Sequence, residues 1–358
     1  MKKNIYAASF SHLLMQWHLK ENKRSMPWKG EKDPYKIWLS EIILQQTRVE
    51  QGMGYYLRFI NKYPAVIKLA AASDDEVFKL WEGLGYYSRC KNLIATARYI
   101  SQELNGIFPE SFENILKLKG IGPYTAAAIA SFAFNLPHAV VDGNVSRVLA
   151  RYFGIHTAID STSGKKEFAV LAQQLLDKTA PALYNQAIMD FGATVCKPKL
   201  PLCRQCLLSN TCKAFIENSV SNLPVKEKKI IKKSRWFYYF VLELNGKYFV
   251  RKRVAKDIWQ NLHEFILIEK PAKTALCLIN ESEEFKFLVD RAYSSVNTSG
   301  YYKQQLTHQT IHGCFIHLKI AGKKLIKGYE LIDKKALAQL AFPKLVNDYL
   351  AANPWGKN

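Results

Sequence analysis

Hydrophobic and polar positions follow a helical period over roughly the first two-thirds of the chain. In "DDEVFKLWEGLGYY", Asp74 and Asp75 open a segment whose apolar residues Val77, Phe78, Leu80 and Trp81 fall at helical spacing. "IWLSEIILQQTRVE" reads as a helix too, with Trp38, Leu39, Ile42, Ile43 and Leu44 surrounding Glu41. From residue 36 to about 216 such stretches alternate with short turns containing Gly or Pro. Further on the pattern changes to aromatic and β-branched runs. "WFYYFVLELNGKYFVRKRV" places two strand-like runs around Asn245-Gly246, the favoured two-residue hairpin turn. Between the two regimes, "NLPVKEKKIIKKSR" holds six cations from Lys226 to Arg235 against one acid, the composition of a solvated linker. The pattern predicts a multidomain chain: an all-α half over residues 1–218, a basic linker over 219–235 and an α+β domain over 236–358. No internal repeat is visible.

Composition sharpens this. With 358 residues, 48% of them hydrophobic, the chain can build two or three domains with substantial cores. No apolar run approaches the roughly eighteen residues of a membrane span. The N-terminal "MKKNIYAASFSHLLMQWHLK" is interrupted by Ser9, Ser11, His12, Gln16 and His18, so it does not read as a secretory signal. A cytoplasmic protein is expected. The net charge of +21, from 51 Lys and Arg against 30 Asp and Glu, points to a polyanionic partner, most simply nucleic acid.

Four of seven cysteines fall in "CKPKLPLCRQCLLSNTC", spaced Cys-x6-Cys-x2-Cys-x5-Cys. Pro198 and Pro201 keep this segment from continuing as one helix, so the thiols can turn toward a common centre. Disulfides belong to secreted chains. Zinc accepts cysteines in short pairs, but the segment has one Cys-x2-Cys pair where zinc ribbons use two. The six- and five-residue gaps suit a bulkier iron–sulfur cluster better, and spacing alone leaves both metals open. Cys90, Cys277 and Cys314 read as small buried residues.

"LKLKGIGPYTAAAIASFAF" joins two helical stretches through Gly120-Ile121-Gly122, with Pro123 suited to the first turn of the second. Backbone donors at a helix start form a phosphate site, and in so basic a chain a DNA-binding helix–hairpin–helix is the better reading of this turn. Two carboxylates stand out by their surroundings. Burial of Glu41 among apolar neighbours should raise its pKa and favour the acid. Asp142, in "PHAVVDGNVSRVLARYF", sits at a helix start, where N–H donors and the helix dipole should favour the anion. An acid paired with an anion is the logic of glycosidic cleavage. Taken singly, an exposed helix residue and a plain cap would serve as well.

The helix–hairpin–helix, the downstream Asp142 in "VDGN" and the four-cysteine loop, in that order, resemble the endonuclease III superfamily of DNA glycosylases. "MPWKGEKDPYKIWLSEIILQQTRVE" and "WEGLGYYSRCKNL" resemble its MutY-type adenine glycosylase branch. The likeness runs from about Arg24 to Cys212, and more loosely beyond. It implies a two-lobed all-α catalytic half, with the hairpin motif at about 112–134 and an iron–sulfur loop at 196–212, followed by a Nudix-like α+β domain. It also implies a [4Fe–4S] cluster on Cys196, Cys203, Cys206 and Cys212. The expected partner is double-stranded DNA containing A·8-oxoguanine or A·G mispairs, bound by a monomeric, DNA-associated enzyme of the bacterial cytoplasm with no membrane attachment.

Residue by residue, the resemblance makes Glu41 the acid that protonates adenine at N7. Asp142 becomes the carboxylate facing the cationic sugar, with Asn144 its polar neighbour. Gln46 and Tyr86 match positions that wedge into the base stack as adenine flips out. Arg24, Trp28 and Gln186 match the adenine pocket, although core packing is the commoner fate of a Trp or Tyr. Gly120 and Gly122 match the DNA-gripping hairpin. Superfamily members that also cut the strand carry a Schiff-base lysine where this chain has Tyr124, which forms no imine. Lys117 and Lys119 precede the hairpin. A monofunctional glycosylase is therefore expected, ahead of an endonuclease III-like glycosylase and lyase for oxidised pyrimidines, or of a cluster-bearing DNA-binding protein without activity.

In the C-terminal part, "DIWQNLHEFILIE" resembles the Trp-x2-Leu-x-Glu-Phe stretch of that family's Nudix-related domain. An Arg-Glu-x2-Glu-Glu helix for magnesium is missing from the sequence, so nucleotide hydrolysis is not expected. "QQLTHQTIH" matches the loop where the family commonly has Phe-Ser-His to read 8-oxoguanine. Here it is Leu306-Thr307-His308: the hydroxyl is kept and the aromatic is not. His308, His312, Cys314 and His317 follow at spacings that fit no compact metal site.

Overall fold

The structure is a computed structural model, and it describes residues 2–227, 232–288, 293–321 and 326–353. Residues 228–231 of the expected linker lie outside the described residues. The chain divides into two compact units, Met1–Ala71 with Asn92–Lys228, and Ala72–Lys91 with Lys229–Asn358.

The first unit is helical, and local chemistry sets its boundaries. Asp33 caps the Pro34–Leu44 helix by accepting from the Tyr35 N–H, with Pro34 in the first turn. Ser111 caps Phe112–Leu116, Gly122 precedes Pro123–Phe134, and Asp142 caps Gly143–Phe153. Asn135 and Gly154 close two of these helices in the left-handed conformation. The Pro123–Phe134 helix buries Ala126, Ala127, Ala128 and Ala130; side chains this small let neighbouring helices approach closely. A core of Phe10, Leu14 and Trp17 with Val148, Leu149, Phe168 and Phe191 ties Lys2–Lys20, Gly143–Phe153, Thr162–Leu175 and Pro181–Thr194 together.

The expected linker is structured at both ends. The Ile159 N–H donates to the Val225 carbonyl at 3.0 Å and the Glu227 N–H to Asp160 at 3.0 Å, so residues up to 227 lie on the first unit. At the other end, Lys233 already begins a strand.

In the second unit that strand, Lys233–Leu244, is central. It turns through Asn245-Gly246, both at positive φ, into Lys247–Lys252, as the sequence predicts. It pairs antiparallel with Ile266–Lys270 and parallel with Gln309–Ile320, from Lys233 opposite Gln309 to Glu243 opposite Lys319. Tyr293–Thr298 and Tyr302–Gln305 add to the far side of Gln309–Ile320, and Glu330–Asp333 adds to Lys247–Lys252. The result is a mixed sheet with short helices, including Lys344–Ala352.

Residues 72–91 belong to this unit through specific bonds. The Phe342 N–H donates to Glu82 at 2.7 Å, Lys79 donates to the Leu340 carbonyl at 2.9 Å, and Lys252 pairs with Asp75 at 2.6 Å.

Candidate active site

Seven of the residues singled out in the sequence line one cavity of about 560 Å³ in the first unit: Arg24, Trp28, Glu41, Tyr124, Asp142, Asn144 and Gln186. Four separate helices and the loop before the first of them bring these side chains together. Trp28 is half-buried, its ring edge-on to Tyr56 at 5.3 Å, so it both packs and faces the cavity.

Glu41 is 8% exposed, on the Pro34–Leu44 helix. Burial pushes its carboxyl up to about 7, opposed by a hydrogen bond from the Tyr124 hydroxyl and reinforced by the charge of Asp142. The carboxyl therefore holds a proton near neutrality while facing the cavity, as a proton donor must.

Asp142 departs from the expectation. It is the helix cap foreseen, accepting from the Val145 N–H at 2.7 Å and from the Asn144 amide at 2.8 Å. Yet its pKa is raised, because burial outweighs these bonds and the nearby Arg147. A cap reports local donors, whereas burial depends on what packs above it. The two carboxyls still differ in kind. Glu41 is opposed by one hydroxyl, whereas Asp142 has two backbone N–H groups, an amide and a guanidinium that favour its anion.

Asn144 is held in turn by Arg147, whose Nη2 donates to the Asn144 side-chain oxygen at 2.8 Å and to the Gly192 carbonyl at 2.6 Å. Arg147 Nε donates to the Cys196 carbonyl at 2.8 Å, which links the carboxylate's neighbour to the cysteine loop. A Cβ on Gly192 would come within 2.7 Å of the Asn144 Cβ, so this close approach requires glycine.

Cys196, Cys203, Cys206 and Cys212 line a cavity of about 30 Å³ with Val148, Phe191 and Leu208. Burial and the three other sulfurs push the Cys206 thiol up to about 12, and burial also raises Cys203 and Cys212. Sulfurs crowded in this way resist becoming thiolates until a metal's positive charge repays the cost, so the donor set fits a thiolate-bound cluster. Arg151 Nη1 donates to Cys196 Sγ at 3.5 Å and to the Lys197 carbonyl at 2.8 Å, pinning one edge of the loop. Among the described residues no group of three or more His, Cys, Asp or Glu side chains is placed to hold a metal ion. The sulfurs share a cavity rather than an ion-sized ligand shell.

Gln46 is exposed and does not line the cavity; its φ of 60° is uncommon for a residue with a side chain. Gly120, at φ 79°, leaves no room for a Cβ, which would meet Asn92 at 2.7 Å, while Gly122 is open to solvent.

In the second unit, Tyr86 is 43% exposed at φ 47°. Its ring lies over the Arg89 guanidinium, which also faces the Trp81 ring. Leu306, Thr307 and His308 form the tight turn between Tyr302–Gln305 and Gln309–Ile320, closed by the Leu306 N–H on the Gln309 carbonyl at 2.8 Å. His308 is exposed, and its carbonyl accepts from the Lys233 N–H. His312 stacks on Trp236, His317 pairs with Glu243 and Cys314 donates to the Ser299 carbonyl. Cys90 and Cys314 are buried as expected, but Cys277 is exposed, on the surface of the short Leu276–Asn280 helix.

Three residues of the first unit were not foreseen: His18 and Lys29, which line the cavity, and Asp190, which is fully buried. An acid inside the apolar stretch "AIMDFGA" was the available signal.

Comparison with known proteins agrees with this architecture. Residues 39–174 match the family model of HhH-GPD superfamily base excision DNA repair proteins, and residues 238–352 match the NUDIX domain. The chain is 33% identical over 309 residues to the adenine DNA glycosylase of Buchnera aphidicola subsp. Baizongia pistaciae, covering 85% of this chain and 84% of that one. Among solved structures, a thermostable thymine-DNA glycosylase superposes with TM-score 0.56 at 29% identity, over 61% of this chain and 100% of that one. An endonuclease III trapped as a covalent intermediate on DNA shares the fold, with TM-score 0.52 at 20% identity over 59% of this chain and 98% of that one.

Proposed function

The chain belongs to the adenine DNA glycosylase family and is a DNA glycosylase, and on that premise we propose that it excises adenine opposite 8-oxoguanine, and opposite guanine, without cutting the strand. The observation that supports this most directly is the pair Glu41 and Asp142 on one cavity, the first protonated near neutrality and the second surrounded by donors.

A flipped adenine in the cavity would receive a proton at N7 from Glu41, so that the base leaves neutral as its bond to the sugar breaks. Tyr124 holds that carboxyl by a hydrogen bond. Asp142, fixed by Val145 and Asn144, would stabilise the positive charge developing on the sugar. Water then adds to the sugar and leaves an abasic site. With Tyr124 at the hairpin position, no amine stands there to form an imine and break the strand.

Gly120 and Gly122 would grip the phosphate backbone, and Gln46 and Tyr86 would wedge the stack open. Their left-handed backbones are the kind of strain that is retained at functional sites. Thr307 and His308 would read the opposite base. Cys196, Cys203, Cys206 and Cys212 would hold a [4Fe–4S] cluster, which when bound supplies iron–thiolate bonds that tie the loop together.

The test is a glycosylase assay on duplexes with A·8-oxoguanine, A·G and thymine glycol, with and without alkali. Adenine release that yields strand breaks only after alkali is expected. Cleavage of thymine glycol with direct strand scission would replace this reading with a glycosylase and lyase for oxidised pyrimidines.

A further inference from the structure

The helix Pro181–Thr194 brings Gln186 to the cavity and, one turn later, carries Asp190, which does not itself line it. Asp190 has no solvent exposure. Its carboxylate accepts from Arg24 Nη1 at 2.8 Å, Lys29 Nζ at 3.1 Å and Asn22 Nδ2 at 2.8 Å. Arg24 and Lys29 both line the cavity that holds Glu41 and Asp142. The three donors are also bonded to one another. The Arg24 N–H donates to Asn22 Oδ1 at 3.0 Å, and Lys29 Nζ donates to the Arg24 carbonyl at 2.8 Å. His18, 3.0 Å from the Asn22 amide, has its pKa lowered by burial and by Lys29, so it adds no positive charge beside this carboxylate at neutral pH.

Arg24 and Lys29, which line with Lys32 a cavity where a base is to be protonated, are an electrostatic liability, since each opposes the incoming proton. A single buried carboxylate cancels one of them and fixes the direction of both sets of N–H donors. We infer that Asp190 is a positioning residue for base recognition: it aims Arg24 and Lys29 at the ring-nitrogen acceptors of a flipped purine and neutralises half of their charge. This rests on the adenine-glycosylase reading above, and a wild-type enzyme that removes no adenine would refute that reading rather than this one.

Given an active wild type, the full-length protein is compared with Asp190→Asn and Asp190→Glu in single-turnover excision at saturating enzyme, alongside duplex affinity and melting temperature. Asn keeps the volume and loses the charge, whereas Glu keeps the charge. The expected result is excision at least tenfold slower for Asp190→Asn, duplex affinity within about twofold, and Asp190→Glu recovering most of the rate. Asn at wild-type rate would overturn the inference, because volume alone would then explain the residue, and Glu no better than Asn would overturn it too, because restoring the charge would then restore nothing. If Asp190→Asn does not fold, Lys29→Met decides. Slower excision at an unchanged melting temperature supports the inference, and unchanged excision overturns it.

Discussion

The hydroxyls of Tyr86 and Thr307 share a hydrogen bond across 221 residues of sequence. It joins two positions that the resemblance assigns to different tasks, opening the base stack and reading the opposite base. Thr307 is therefore not a free hydroxyl waiting for a lesion. To contact 8-oxoguanine it must share or exchange its partner, and the Tyr86 ring, over Arg89, sets where that hydroxyl sits.

Tyr86→Phe and Thr307→Ala should each lower the preference for A·8-oxoguanine over A·G. One hydrogen bond is worth about 0.5–1.5 kcal/mol net, or roughly a two- to twelvefold change in the ratio. Since both remove the same bond, the double variant should lose less than the product of the single effects. Single-turnover rates on the two duplexes measure this, and fully multiplicative losses would show that the bond is not shared in the working enzyme.

Glu41 gives a prediction with a sign. Its carboxyl is pushed up to about 7 by burial, and in the proposed reaction the acid form is the active one. Excision should hold steady below that value and fall as pH rises through it, toward tenfold per unit. Protonation of Asp142, whose pKa is also raised, should set the acid limb. Glu41→Gln removes the donor with little change in volume. It should slow excision by ~10²–10⁴-fold or more with duplex affinity nearly intact, and its residual activity should lack the alkaline limb. An alkaline limb that survives in Glu41→Gln would assign it to another group.

How much of this site could be read in the sequence depended on the distance over which each residue's role is set. The Glu41 helix, the Asn245-Gly246 turn and the Asp142 cap follow from neighbours within a few positions, and all three formed as the pattern predicts. The pKa direction of Asp142 did not follow, because burial is a tertiary property that a cap motif does not encode. Asp190 was missed for the same reason: its cationic partners lie 161 and 166 residues away. Residues 72–91 read as one more helical stretch of the N-terminal half, and nothing local shows that Glu82 caps the backbone at Phe342.

The cysteine loop supports a prediction about metal. Native protein purified without oxygen should be yellow-brown and contain about four irons per chain. Cys206, with the thiol pushed furthest up, stands to gain most from metal binding. Cys206→Ser should therefore lose iron and melt at a lower temperature. Arg147 ties the Cys196 carbonyl to Asn144, so the same variant should also slow excision at equal protein concentration. Stoichiometric zinc in place of iron would overturn the cluster and favour the zinc alternative.

The division of the chain leads to a prediction about fragments. A protein ending after residue 227 keeps the Val225 and Glu227 contacts that hold the segment after the cysteine loop to the first unit. It loses the partners of residues 72–91: the Phe342 N–H on Glu82, the Leu340 carbonyl on Lys79 and the Lys252 ion pair with Asp75. The Asp75 pair is exposed and contributes little, whereas Glu82, less exposed, would lose a backbone donor outright. Limited proteolysis should therefore cut the fragment within residues 72–91 faster than the full chain, while Gly143–Phe153 and Pro181–Thr194 stay protected. The fragment should also discriminate poorly between A·8-oxoguanine and A·G, since Thr307 is gone and Tyr86 lies on the loosened segment. Equal cleavage of residues 72–91 in fragment and full chain would show that this segment draws its order from the helical half.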